Sequence, residues 1–285
     1  MELQWYPGHM AKTMRVVEEY LPLVDVVVEI IDARVPVSSS NPELRRRIGG
    51  RPRIVALNKA DLAEADATSA WATAFRRAGA SAIAIEAQTG KGVNDLLRLA
   101  IEQSAARMER ERARGRRARP ARIMVAGIPN VGKSSLINRL TRRGSARTGA
   151  MPGVTRGKQW VRINEGLELL DLPGVLWPKF EDPLVGYHLA ATGAISEQVY
   201  DHYDVARRLL GELLPEHADA LTARFEFERL PDAPEAIIDE VGRRRGCLRG
   251  GGSIDSTAAA DIVLREFRLG KLGRITLEKA VTAHG

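Results

Sequence analysis

The apolar positions of this 285-residue chain change rhythm once. Over roughly the first 170 residues they gather in short runs, many of them β-branched: Val24-Asp25-Val26-Val27-Val28-Glu29-Ile30-Ile31, then Ile54 to Leu57, Ala82 to Ile85, Ile123 to Ala126 and Leu167 to Leu170. Near-continuous runs of this length read as strands buried on both faces, the habit of parallel sheets. Helix-like stretches such as Ala65 to Ala78 separate several of them, and the alternation predicts a doubly wound α/β domain with a parallel-rich sheet. Beyond Pro178 the runs fade and helical spacing takes over, as in Asp201 to Leu214 and Ser256 to Leu269. The expected division is an α/β domain over 1–178 and a smaller α-helical domain over 179–285. Two stretches read as surface connections: Arg107 to Arg122, where Gly115 and Pro120 interrupt any helix, and the Gly/Arg-rich Arg243 to Ser253.

Composition narrows the class. A 44% hydrophobic content is enough for a core in each of two domains. No apolar run approaches the roughly 20 residues needed to cross a bilayer, and the first residues lack the basic-then-apolar form of a secretory signal. The expectation is a cytoplasmic protein that does not enter a membrane. A single cysteine, Cys247, excludes an internal disulfide and a Cys-rich zinc site. Lys and Arg outnumber Asp and Glu by 43 to 36, a formal charge of +7, which favours a polyanionic partner without choosing between nucleic acid and acidic lipid.

Gly127-Ile128-Pro129-Asn130-Val131-Gly132-Lys133-Ser134 carries the strongest local chemistry. It completes the G-x-x-x-x-G-K-[ST] pattern between a predicted strand and the helical run that begins at Ser135. The glycines let backbone N–H groups, including those of Val131 and Gly132, turn inward around phosphate oxygens. The helix adds its positive N-terminus, Lys133 brings a cation to the terminal phosphates, and Ser134 is a magnesium ligand. Downstream, Asp171-Leu172-Pro173-Gly174 follows a strand; its carboxylate suits Mg²⁺ through water and the Gly174 N–H suits the terminal phosphate. In the intervening Gly149 to Arg156 segment Thr155 is the expected second Mg²⁺ ligand, with Thr148 as the competitor.

The base is read elsewhere. Asn58-Lys59-Ala60-Asp61 closes the strand that begins at Ile54. A carboxylate at Asp61 can accept from both N1–H and the exocyclic amine of guanine, a match that adenine cannot make, so the expected nucleotide is GTP or GDP rather than ATP. Asn58 would brace the loop and the Lys59 stem would lie over the purine. Glu86-Ala87-Gln88-Thr89-Gly90 matches a base-backing loop, with the Ala87 N–H toward guanine O6. It departs from the usual Ser-Ala-Lys at its first and third places, Glu86 and Gln88.

In chain order the base reader precedes the phosphate loop, the reverse of ordinary GTPases. A parallel sheet can be opened at one crossover and closed at another without losing the site, so the order reads as a circularly permuted P-loop GTPase domain. Together with Pro7-Gly8-His9-Met10, Asp32-Ala33-Arg34-Val35-Pro36 and Gly246-Cys247-Leu248-Arg249-Gly250-Gly251, it resembles the YlqF/RbgA family of ribosome-biogenesis GTPases over essentially the whole chain. The resemblance implies maturation of the large ribosomal subunit, GTP-dependent binding to its precursor of rRNA and ribosomal proteins, and hydrolysis stimulated by that particle. It points to His9 as the group that orients water, since Val175 and Leu176 rather than Gln follow Gly174; the residues themselves leave open a structural or RNA-contacting role. It also suggests that Asn130 helps hold K⁺.

Arg243, Arg244, Arg245 and Arg249 flank glycines and are the expected RNA-binding residues. The cluster Arg114, Arg116, Arg117 and Arg119 is a second candidate, for which a solvated face is the simpler reading. The chain is expected to act as a monomer. A GTP switch on an acidic membrane or a protein partner is the alternative; the sequence offers neither a lipidation signal nor an apolar basic helix for it.

Overall fold

The computed structural model describes residues 15–115, 119–148, 160–171, 180 and 182–280, with side chains except at 142–148 and 171. The chain divides into two compact units, one from Tyr6 to Pro178 that resumes at Glu278, the other from Lys179 to Leu277. The segment after Leu277 therefore belongs with the first unit, whereas the sequence reading had kept it in the helical domain. The reason is local: Glu278 accepts the backbone N–H groups of Val37 at 2.5 Å and Ser38 at 3.0 Å, and its carbonyl accepts the Trp71 indole N–H at 2.6 Å.

The first unit is built on a six-stranded sheet. Its strands are β1 (Val26–Asp32), β2 (Arg53–Asn58), β3 (Ser81–Ala84), β4 (Ala121–Ala126), β5 (Trp160–Asn164) and β6 (Leu167–Asp171), in the spatial order β3-β2-β1-β4-β6-β5. Every pair is parallel except β5 with β6. All seven residues of the central β1 are buried, as a near-continuous apolar run requires. β5 had no counterpart in the run pattern: Trp160-Val161-Arg162-Ile163-Asn164 is an edge strand whose only fully buried side chain is Ile163.

Among the described residues four helices lie between these strands: α1 (Pro42–Ile48), α2 (Ala65–Arg77), α3 (Val93–Ala113) and α4 (Lys133–Thr148). α3 corrects the reading of Arg107 to Arg122 as a surface connection. Val93, Leu96, Ala100 and Ser104 recur at helical spacing on the buried face, and nothing stops the helix before Gly115, which takes φ +74°. The arginines there are not merely solvated. Arg119 grips the fully buried Asp25 with two bonds of 2.7 and 2.8 Å, and Arg107 Nε approaches it at 3.3 Å. Arg116 and Arg117 lie outside the described residues.

The second unit is helical: α5 (Pro183–Ala191), α6 (His202–Phe225), α7 (Pro234–Arg245) and α8 (Ser256–Arg268). Asp182, Asp201 and Asp255 cap α5, α6 and α8 by accepting backbone N–H groups of the first turn. α6 runs past Leu214 because Pro215 kinks it, with non-helical angles at His217, without ending it. Leu209, Leu213, Ile237, Val241, Val263 and Phe267 form the buried core of the unit. Arg243 to Arg245, expected in a loop, form the last turn of α7; Gly246 at φ +71° then ends the helix, and a bridge between Leu248 and Ile254 closes the loop proper.

Candidate nucleotide-binding site

The phosphate loop joins β4 to α4 at the end of the sheet where β1 and β2 also finish. Its two framing glycines are required for different reasons. A Cβ on Gly127 would stand 2.5 Å from the carbonyl oxygen of Ile30 on the neighbouring strand. Gly132 sits at φ +97°, and a Cβ there would collide with the Asn58 amide. Asn130 also takes a left-handed conformation, φ +59°. Lys133 is buried at the start of α4, Ser134 next to it is exposed, and Ser135 is half-buried. On the adjacent strand, Asp171 ends β6 in register with Val125, two residues before the loop begins.

Asn58 makes one site of segments far apart in sequence. Its Nδ2 donates to the Val131 carbonyl in the phosphate loop at 2.6 Å, and its Oδ1 accepts the Ala87 N–H of the base-backing loop at 2.9 Å. The side chain is buried, so both bonds are made in a setting where losing either leaves an unsatisfied polar group. The Ala87 N–H, expected to face guanine O6, is thus engaged by Asn58. Gln88 is exposed beside it, and Asp61 is exposed at the far end of the base reader.

Two further residues hold this corner, and the sequence had not singled out either for the role. Arg139 on α4 donates through Nε to the Ala87 carbonyl at 3.1 Å and through a terminal nitrogen to the Gln88 carbonyl. Asp32, at the end of β1, is buried with Arg34 and also accepts Lys59 Nζ at 2.8 Å. Burial alone would raise the Asp32 pKa, but the charges of Arg34 and Lys59 outweigh it and hold the carboxyl well below the usual carboxylate range. Asp32 stood in the sequence only as part of Asp-Ala-Arg-Val-Pro. It stands opposite Asn58 in the β1–β2 register, which only the structure reveals.

Of the expected nucleotide-binding residues, Asn58 is joined directly to Val131 and Ala87; Lys59, Asp61, Gln88, Asn130 and Gly132 lie in the loops that follow strands of the first unit, and Lys133, Ser134 and Ser135 in the first turn of α4. His9, Thr155 and Gly174 lie outside the described residues, as do the side chains of Asp171 and Thr148. In the helical unit, the expected RNA-binding arginines are exposed but mostly engaged: Arg243 and Arg244 both pair with Glu240, Arg244 also lies over the Phe227 ring, and Arg249 pairs with Asp255 at 3.1 Å. Among the described residues no helix is long and apolar enough to cross a membrane.

Comparison with known proteins agrees with this geometry. A family model described as a 50S ribosome-binding GTPase matches residues 122–210. The match takes in the phosphate loop and leaves out Asn58 to Asp61, as a base reader moved upstream would produce. The ribosome biogenesis GTPase A of Bacillus licheniformis is 44% identical over 98% of this chain and 99% of its own length. That of Priestia megaterium is 46% identical over 98% and 97%. Among solved structures, GNP-bound YlqF from T. maritima superimposes with a TM-score of 0.68 at 25% identity, over 95% of this chain and 99% of that one. Sheet, phosphate loop and displaced base reader together define a circularly permuted GTPase, and the chain belongs to the ribosome biogenesis GTPase A (YlqF) family. It binds GTP and hydrolyses it; GTPases of this class generally use Mg²⁺.

Proposed function

We propose that this GTPase binds a precursor of the large ribosomal subunit in its GTP form, in the cytoplasm and as a monomer, and leaves it after hydrolysis. The Asn58 joint carries the reading of the site, since it ties the Asn58 to Asp61 segment to the phosphate loop and to Ala87. The names of its relatives and the exposed arginines that end α7 support an RNA-rich partner. Asp61 reads the guanine N1–H and amine, the Lys59 stem covers the purine, and the Ala87 N–H is shared between Asn58 and guanine O6, with Gln88 beside it. Lys133 and the N–H groups from Val131 to Ser135 hold the phosphates. The residue types suit a hard cation: Ser134, exposed beside the phosphate loop, and Asp171 at the neighbouring strand end, with Thr155 as the further ligand by its place in the sequence. Bound there, Mg²⁺ would neutralise charge on the β- and γ-phosphates. Asn130 is the candidate to share a K⁺, Gly174 to contact the terminal phosphate, and His9 to orient the attacking water. Arg243, Arg244, Arg245 and Arg249 meet rRNA phosphates.

Co-sedimentation with large-subunit precursors tests the reading. Binding with a non-hydrolysable GTP analogue and release with GDP are expected; equal binding in both states, or binding to acidic vesicles instead, overturns it. A His9→Ala variant that kept full particle-stimulated turnover would remove His9 from the mechanism.

A further inference from the structure

Asp32 is buried at the end of β1, and nothing in the nucleotide chemistry above uses it. Both of its oxygens are engaged by Arg34, Oδ1 by Nε at 2.9 Å and Oδ2 by a terminal nitrogen at 2.8 Å. Oδ1 also accepts the Arg34 backbone N–H at 3.1 Å. That arrangement alone would neutralise the buried guanidinium. Yet Oδ2 takes a second cation, Lys59 Nζ at 2.8 Å. The carboxylate is fixed in space by its backbone as well: the Asp32 N–H donates to Ser39 Oγ at 2.9 Å, and the next N–H, of Ala33, to the Asn58 carbonyl at 2.8 Å.

Lys59 is constrained from its other end. Its φ of +59° is a left-handed conformation that a non-glycine residue keeps only where its surroundings enforce it. An unanchored lysine has a flexible four-carbon stem and a strongly hydrated head, and a ligand that lies against the stem must first order it. Here the ammonium is already tied down and the residue is only 22% exposed in its side chain.

We propose that Asp32 is a positioning residue for guanine binding: it anchors the Lys59 ammonium so that the aliphatic stem is laid out as a wall of the base site before the nucleotide arrives. The proposal rests on Lys59 being the residue that covers the purine. Asp32 does not touch the nucleotide, and its effect on affinity passes through Lys59.

The test is GDP affinity, measured with a fluorescent analogue on the full chain, alongside the melting temperature. Asp32→Asn alone would strand the buried Arg34 charge, so the informative variant is Asp32→Asn with Arg34→Met, which removes both charges together. It is expected to fold and to weaken GDP binding about three- to tenfold, the cost of ordering one long side chain. Lys59→Ala should weaken binding at least as much. The triple variant should bind no more weakly than Lys59→Ala. Unchanged affinity in the Asp32/Arg34 variant, or losses that multiply in the triple variant, would show that Asp32 does not act through Lys59. A Lys59→Ala variant with unaltered affinity would instead overturn the purine-covering role and the proposal with it. Should the double variant not fold, Asp32→Glu keeps a charge for Arg34 while displacing the oxygen that Lys59 uses. It is expected to weaken GDP binding in the wild-type background and to have no further effect beside Lys59→Ala; the opposite pattern overturns the proposal.

Discussion

The two units use charge in opposite ways. Along and just before β1 of the nucleotide-binding unit, Asp25, Glu29 and Asp32 are essentially inaccessible to solvent. Each is neutralised by buried or half-buried cations, most of them distant in sequence: Asp25 by Arg107 and Arg119, Glu29 by Arg53, Asp32 by the neighbouring Arg34 and by Lys59. In the helical unit the expected RNA-binding arginines and their neighbours make partly exposed, local pairs, such as Arg207 with Asp204, Arg243 with Glu240 and Arg249 with Asp255. A buried carboxylate is tolerated only while its partners stay, so these pairs fix geometry and are expensive to break. An exposed pair contributes little and is readily exchanged for another partner. One unit thus holds a site rigid, while the other carries arginines whose present partners are cheaply exchanged.

Arg119→Ala should produce the largest effect. It leaves buried Asp25 with Arg107 as its one remaining cation beside the Arg122 backbone N–H, and unfolding by urea should show a loss of about 2–3 kcal/mol; a wild-type transition would break the contrast. Arg249→Ala comes next, and should leave the melting temperature where it is. Its effect belongs in binding: the dependence of affinity for ribosomal particles on the logarithm of salt concentration should become shallower by about 1. The smallest effect is expected at His202, which lies against the Glu197 carbonyl and the Asp261 carboxylate. Burial pulls its pKa down, but the bonds to Asp261 and Glu197 prevail and raise it above the ordinary 6.5. A group raised in the folded state stabilises fully below its unfolded pKa, and that contribution is lost as pH rises through the folded value. The helical unit should therefore lose a little stability from about pH 6.5 upward, and Asp261→Asn should flatten that dependence in a pH series of thermal melts.

How much of this was legible beforehand follows from distance along the chain. β1, β2, β4 and β6 announced themselves because a strand buried on both faces must be apolar at nearly every position. The phosphate loop and base reader were legible because each is contiguous. β5 was not, since an edge strand with one fully buried residue leaves no run. Nor were the contacts that finish the site. The pairing of Asp32 with Lys59 spans 27 positions, that of Arg139 with Ala87 spans 52, and that of Glu278 with Val37 spans 241. No local spacing rule reaches so far. The expected RNA-binding arginines were misjudged for a different reason: Glu240 lies only three and four positions before Arg243 and Arg244, but that spacing pairs side chains only on a helix, and the stretch read as a loop.

The Asn58 joint also has a bearing on how the protein is made. Synthesis proceeds from the N-terminus, so β1, β2 and β3, which lie side by side at one edge of the sheet, emerge before any of the phosphate loop exists. Asn58 then waits for Val131, 73 residues later, a delay of roughly 4–15 s at ordinary translation rates. Ligand binding stabilises only a chain that already contains its site. In this strand order the nucleotide cannot assist the early, base-reading half of the sheet; it arrives as a late clamp, closing a structure whose first three strands have had to hold together on their own buried chain.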